Sequence, residues 1–370
     1  MSYVRTGAER LAADPALAGG ARLGLITNPT GVLPDLTLTL DALSAAGAPL
    51  TALFGPEHGM RGTAQANFSE GDTTDPRTGL PVFDTHKIDG AALDEVVARS
   101  GVDTLVFDIA DVGARFYTYI WTMYDLMASA SRLGVRFVVL DRPNPLGGLV
   151  TEGPMLDPAF ASFVGRFPLP VRHGRTAGEL ATLFGFDLDL HVVTMDGWRR
   201  DMGFEETGLP WVMPSVNMPT LDTVTVYPGT ALFEGTDFSE GRGTTRPFEL
   251  VGAPYVDDRF ASELNALGLP GVRFRDTWFT PTFHKHAGVA VRGVQLHVSD
   301  RTAFRPVLTG LSMLHVARVL YPDHFTWRGS DLFMDHLWGS DTLTRCLDAG
   351  EDPRELCPDP AHPEGPLLYA

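Results

Sequence analysis

The sequence predicts an α/β protein: a Rossmann-like, doubly wound, mostly parallel sheet followed by a smaller C-terminal α+β unit. Three observations carry this. Short apolar, β-rich runs alternate with helically spaced segments through the first half of the chain. Each run stops at a turn of Gly, Pro, Asn or Asp. After about residue 225 the alternation gives way to a less regular pattern. The expected division is residues 1–225 for the Rossmann-like unit and 226–370 for the smaller unit.

The first strand is expected over 22–27 and ends at Asn28-Pro29-Thr30-Gly31. Helical spacing over 36–46 closes at Gly47. A second strand over 50–54 ends at Gly55-Pro56, and a polar, Gly-rich stretch runs on to about Asp84. A helix over 91–99, a strand over 103–109, a helix over 117–133 and a strand over 136–140 follow. The last of these ends at Asp141-Arg142-Pro143-Asn144-Pro145. Beyond the division we expect helices over 260–267 and 304–320, a strand over 289–298, and a Pro-rich tail over 358–366.

Composition excludes several classes. The 370 residues carry a net charge of −17, which disfavours coating nucleic acid or an anionic membrane. Two cysteines, Cys346 and Cys357, provide neither a disulfide framework nor a Cys-rich zinc site. No run approaches the ~18 apolar residues of a membrane span. The first residues do not read as a leader, so the expected location is cytoplasmic, or outside if a leader has been removed.

In doubly wound sheets, ligands bind beyond the carboxyl ends of the strands. Here those ends present Asn28, Glu57 with His58, Asp108 with Asp111, and Asp141 with Arg142. Neither G-x-G-x-x-G nor G-x-x-x-x-G-K-[ST] is present, so no nucleotide cofactor is expected. In Gly55-Pro56-Glu57-His58-Gly59, a carboxyl beside Leu53 and Phe54 is placed for desolvation, which would raise its pKa and suit a general acid. The plainer reading is a turn glutamate in solvent or a helix cap. His58 orients such a carboxyl or serves as a structural hydrogen-bonder.

The run from Phe107 to Tyr119 adds Asp108 and Asp111, with Arg115, Tyr117 and Tyr119 close behind. With Glu57 it supplies the paired carboxylates of glycoside hydrolysis; a local ion pair with Arg115 is the alternative. His58, His86 and His173 near these acids lack metal-ligand spacing, and no metal is expected. Arg61, Arg115, Arg142, Arg172, Arg175, Arg242 and Arg246 fall in Gly- or Pro-containing loops. Internal salt bridging accounts for most, with the Glu240–Arg246 segment as the strongest exception. Tyr117, Tyr119, Trp121, Trp211 and Tyr227 could stack on sugar faces, although Trp121 and Tyr124 share the helical spacing of core residues.

Long ordered motifs make the chain recognisable. GLITNPTG (24–31), FGPEHGMRG (54–62), the 107–119 run, LDRPNPLGG (140–148), Glu152-Gly153-Pro154, PVRHG (170–174), PSVNMPTLD (214–222) and the 227–254 stretch resemble the NamZ-type exo-β-N-acetylmuramidases. That glycoside hydrolase family was formerly a bacterial domain of unknown function. The resemblance implies removal of terminal β-1,4-linked N-acetylmuramic acid (MurNAc) from the non-reducing end of peptidoglycan fragments such as MurNAc-GlcNAc. It implies a Rossmann-like catalytic domain, a smaller second domain, and a cleft between them. Glu57 maps onto the family's catalytic acid, with Asp108 or Asp111 as its weaker partner; the 2-acetamido group is the alternative. The expected substrate-binding set is Asn28, His58, Arg61, Arg115, Tyr117, Tyr119, Asp141, Arg142, Asn144, His173, Asn217, Glu240, Arg242 and Arg246. MurNAc carries a lactyl carboxylate, which gives loop arginines a target. The implied partners are disaccharides or muropeptides, and a cytoplasmic copy would fit recycling of imported wall sugars.

Two positions depart from the family pattern: Ala110 stands where Gln is usual, and Val216 where Pro is usual. Ala110 removes a side chain that could reach substrate. It keeps open a non-catalytic sugar-binding protein as the alternative, with a metal-dependent hydrolase third.

Overall fold

The computed structural model describes residues 3–329 and 333–370. Strands β1 (Leu23–Thr27), β2 (Leu50–Gly55), β3 (Thr73–Thr74), β4 (Pro81–Asp84), β5 (Thr104–Asp108) and β6 (Arg136–Leu140) belong to one sheet. Strands β7 (Glu152–Met155) and β8 (Pro170–Arg172) pair as a separate ribbon, and β9 (Leu190–Val193) completes the large sheet. The sheet order is β3-β4-β2-β1-β5-β6-β9, parallel throughout except for β3 against β4. The chain builds outward from β1 to β4, then returns to place β5 on the other side of β1. That reversal makes the β1/β5 gap the topological switch point.

Alternation along each strand sorts apolar side chains onto two faces. Leu25, Val106 and Val138 pack with Leu11 of α1 (Gly7–Ala13) and with Leu40 and Leu43 of α2 (Thr39–Ala45). Their chain neighbours Ile26, Phe107 and Val139 pack toward α3 (Gly90–Ser100), α4 (Tyr119–Leu133) and α5 (Ala177–Phe184). This second layer continues into the core of the C-terminal unit through Phe233, Phe238 and Leu311. Helices on both faces make the sheet doubly wound, as expected.

The C-terminal unit contains α6 (Leu221–Thr230), β10 (Leu250–Ala253), α7 (Arg259–Ala266), β11 (Val272–Phe279), β12 (Val291–Val298), α8 (Pro306–Leu320), α9 (Phe333–Trp338) and α10 (Thr342–Asp348). Its strands form an antiparallel sheet in the order β10-β12-β11. Helices α6 and α8 meet backbone to backbone. A Cβ on Gly229 would lie 1.9 Å from the Pro306 carbonyl oxygen, and one on Gly310 would lie 2.4 Å from that of Gly229. The expected division at 225/226 falls inside α6, a continuous helix capped by the Thr220 hydroxyl. No helix among the described residues is long and apolar enough to cross a membrane.

Other expectations shift locally. The helix expected over 36–46 starts only at Thr39, because Leu36 adopts a left-handed φ of 69° that no helix accepts. The stretch expected to be loop up to Asp84 contains β3 and β4. The tail beyond Pro358 folds back onto the first unit. Tyr369 donates its hydroxyl to Asp141 Oδ2 at 2.6 Å, Leu368 N–H to Glu179 at 3.0 Å, and Arg200 N–H bonds the Ala370 oxygen at 3.0 Å. Burial pushes the Asp141 carboxyl up to about 6, against hydrogen bonds from Tyr369, Gly178 and Thr176. Tyr369→Phe should therefore cost about 1.5–3 kcal/mol, the range for a hydrogen bond to a charged group, as a lowered thermal midpoint.

Candidate active site

Strand β2 delivers Glu57. Phe54 is buried, Gly55-Pro56 ends the strand, and His58 (φ 70°) and Gly59 (φ 82°) reverse the chain. A Cβ on Gly59 would sit 2.2 Å from Glu70 Cγ, so only glycine allows Glu70 to tuck under this turn. Glu70 accepts from the N–H groups of Arg61 and Thr63 and from the Thr63 hydroxyl. His58 donates from its backbone to Phe68 O and from Nδ1 to Ala64 O. The closed loop brings Asn67 back over the carboxyl, where its N–H donates to Glu57 Oε1 at 2.6 Å.

The other oxygen is held from α4. Thr118 stands at the N-cap, yet its hydroxyl makes no cap bond; it donates to Glu57 Oε2 at 2.5 Å. Glu57 is only 7% exposed, and it lines a cavity of 570 Å³. That volume lies within the ~300–1,000 Å³ of small-ligand sites.

His58, Asn67 and Lys87 line the side carried by the large sheet; Glu234, Arg242, His284 and Arg328 line the side carried by the C-terminal unit. Between them lies an aromatic surface. Tyr117 meets Tyr119 edge-on at 5.0 Å and Tyr227 at 5.7 Å, and Tyr227 meets Phe248 at 4.7 Å. Burial pushes the Tyr117 and Tyr227 phenols well above their usual range, so both stay neutral donors. The buried Tyr117 hydroxyl has no partner among the described residues. Of the seven described non-glycine residues at positive φ, five line this cavity: His58, Asn67, Lys87, Phe248 and His284. Backbone strain of this kind concentrates where geometry serves function rather than stability.

Several expected site residues lie elsewhere. Asp108 does not line the cavity: it is fully buried and accepts from Arg142 Nε and Nη2 at 2.6 and 3.0 Å. Arg142 also donates to Val32 O, so this pair plugs the switch point and leaves a hollow of only 40 Å³. Asp111 likewise stays outside, accepting from Gly113 N–H at 2.7 Å and from His173 Nε2 at 3.0 Å. Neither expected acid shares the cavity with Glu57: Arg142 holds Asp108 at both oxygens, and Asp111 is bound through Oδ2 alone, its buried Oδ1 having no partner among the described residues. Among the described residues, the second carboxylate lining the cavity is Glu234, paired with Arg242 at 2.9 Å.

Asn28 donates to Pro214 O, as does the Tyr119 hydroxyl, and together they hold the loop that brings Ser215 and Asn217 to the cavity. Asp141 and Asn144 bind buried loop groups around residues 142–178. Arg115 is fully buried, its guanidinium spent on backbone carbonyls. Glu240 is fully buried behind the cavity wall. Burial pushes its carboxyl up, but Lys285, His284 and Arg242 outweigh this and hold it well below the usual range. Arg61 is exposed and does not line the cavity; Arg246 pairs with Glu249 at 3.0 Å and lines a separate groove. Among the expected substrate-binding residues, Asn28, Arg61, Arg115, Asp141, Arg142, Asn144, His173, Glu240 and Arg246 do not line this cavity. Ala110 lines the 40 Å³ hollow, not this cavity, so its missing side chain takes nothing from the Glu57 site.

Sequence reasoning missed Asn67, Lys87, Thr118, Glu234, His284 and Arg328. Glu234 lay in plain view inside the 227–254 motif. Lys87 follows β4, and the strand-end rule would have found it had that strand been recognised.

The family model "Exo-beta-N-acetylmuramidase NamZ, N-terminal" matches residues 23–222, and its C-terminal counterpart matches 225–359. Peptidoglycan beta-N-acetylmuramidase NamZ of Bacillus subtilis (strain 168) is 49% identical over 354 residues, 94% of this chain and 85% of that protein. The crystal structure of one DUF1343 family protein from Bacteroides fragilis superposes with a TM-score of 0.86 at 34% identity, covering 96% of this chain and 95% of that one. A second from the same organism gives 0.74 at 28% identity, covering 96% and 93%. With both family models matched in chain order across one cavity, the chain belongs to the NamZ exo-β-N-acetylmuramidase family.

Proposed function

We propose that this chain is an exo-acting glycoside hydrolase. It releases terminal β-1,4-linked MurNAc from the non-reducing end of peptidoglycan fragments such as MurNAc-GlcNAc. The observation that carries the mechanism is Glu57: nearly buried, held at both oxygens, and open to a sugar-sized cavity. Asn67 and Thr118 fix its carboxyl plane, so that its proton is delivered along one direction. As the C1–O bond breaks, Glu57 protonates the departing GlcNAc oxygen.

Glu234 is the group on the other side. Its bond to Arg242 orients the carboxylate, which then takes a proton from the incoming water or faces the positive charge developing at C1. The aromatic surface of Tyr117, Tyr119 and Tyr227 supports the sugar ring. Incubation with MurNAc-GlcNAc should release free MurNAc and GlcNAc, read by chromatography. The same disaccharide with GlcNAc at its non-reducing end should stay intact. Binding without cleavage of MurNAc-GlcNAc would sink the hydrolase reading.

A further inference from the structure

The arginines expected to read the lactyl carboxylate are mostly spent elsewhere, yet the cavity still holds free positive charge. Three Lys or Arg side chains line it: Lys87, Arg242 and Arg328. Arg242 is neutralised by Glu234 and Glu240, each at 2.9 Å. Among the described residues, no carboxylate pairs with Lys87 or Arg328. Lys87 Nζ donates to the neutral Asn67 Oδ1, and Arg328 Nη1 lies 3.5 Å from His284 Nε2. In a chain of net charge −17, two unpaired cations in one cavity offset a field that otherwise repels an anionic ligand.

Lys87 borders an apolar rim of the cavity that Arg328 also lines. Lys87 Nζ lies 5.1 Å from the centroid of the Phe163 ring, which stacks on Phe333 at 6.5 Å and 18°. Phe163, Phe333, Lys87 and Arg328 all line the cavity. Lys87 holds a left-handed φ of 56°, an unfavourable conformation for a long unbranched residue, so its position is imposed by its surroundings. It is also tied to the acid. Asn67 receives the Lys87 ammonium on its side chain and gives its N–H to Glu57.

We propose that Lys87 and Arg328 together bind the carboxylate of the lactyl ether on the terminal sugar, and so select that sugar over GlcNAc. This rests on the hydrolase reading above. The lactyl group hangs from C3, two ring carbons from the scissile C1. A carboxylate anchored on Lys87 therefore brings the glycosidic oxygen within the reach of Glu57. Arg328 contributes the planar fork that matches a carboxylate, and Lys87 a compact point charge.

The test compares 4-nitrophenyl β-MurNAc with the same glycoside carrying a lactyl carboxamide. The parent protein should prefer the acid by about 10–100-fold in kcat/KM, mostly through KM, as for a charge-assisted bond. The double variant Lys87→Met/Arg328→Met should bring that ratio to within about threefold of unity, by loss of the same charge-assisted bonds. Lys87→Arg/Arg328→Lys should keep most of it. Equal turnover of both glycosides by the parent overturns this inference alone, and so does an undiminished ratio in the Met variant. No turnover of either glycoside by the parent sinks the hydrolase reading and this inference with it.

Discussion

Glu57→Gln is expected to lower kcat/KM on MurNAc-GlcNAc by about 10²–10⁴-fold, the usual contribution of a positioned general acid. The substitution keeps shape and leaves the loop intact. The amide oxygen still accepts from the Asn67 N–H, and the Thr118 hydroxyl can turn to accept from the new NH₂. Stability should therefore change little, and the thermal midpoint is the control. What the amide cannot do is give a proton to the departing sugar oxygen. The loss should accordingly depend on the leaving group. GlcNAc leaves as a poor alcohol and needs the proton; a dinitrophenolate leaves without one. The Gln variant should thus recover much of its rate on a dinitrophenyl MurNAc glycoside. An equal loss on both substrates would assign Glu57 to positioning rather than to proton transfer.

The part of this site that could be read from the sequence is the part built by consecutive residues. Buried parallel strands show as unbroken apolar runs, and LGLIT and TLVFD are fully buried along their length. Glu57 sits two residues beyond such a run, so the fold rule reached it directly. Strand β4 escaped because Pro81–Asp84 has four residues and opens on Pro. With it went Lys87. Strand β11 escaped for the opposite reason: Val272–Phe279 exposes every second residue over its first half, and its apolar signal is diluted by Arg273 and Arg275.

The two expected acids lie outside the cavity for a different reason. Asp108 and Asp111 are near Glu57 by topology, but nearness does not say what consumes a charge. Arg142, from the neighbouring strand end, takes Asp108, and His173, just after β8, takes Asp111. Glu234 comes from the other unit, carried by the 3-10 turn Ala231–Gly235 that follows α6, the helix that packs Gly229 on Gly310. A pairing set by packing across such a separation leaves no local pattern in the chain.

Arg115→Met is the substitution expected to cost the most stability, and its cost follows from the same question of what consumes a charge. Arg115 has no acid partner among the described residues. Its Nη1 donates to the carbonyls of Pro154 and Leu169, and its Nη2 to those of Leu337 and Trp338. The first two carbonyls belong to the Rossmann-like unit and the last two to α9, so one side chain ties the units together beneath the cavity. Burial lowers its pKa to about 9, still above neutral pH, so the group bonding those carbonyls is charged. Methionine fills much of the volume but donates to none of the four buried oxygens, of which Leu169 O keeps the Leu156 N–H at 3.0 Å. Losing one side of a buried charged network costs about 3–5 kcal/mol. With an unfolding entropy of about 2 cal/mol/K per residue, that is a midpoint lowered by roughly 4–6 °C. Lysine should not restore it, because three ammonium N–H groups on a point charge cannot serve four carbonyls arranged around a planar fork. The same arginine precedes Tyr117, Thr118 and Tyr119, so loosening it releases the segment that holds Glu57 Oε2. Arg115→Met should thus also lower kcat below the melting transition, measured at a temperature where the variant is fully folded. An unchanged midpoint would show that the four carbonyls find other donors and that the units are held together elsewhere.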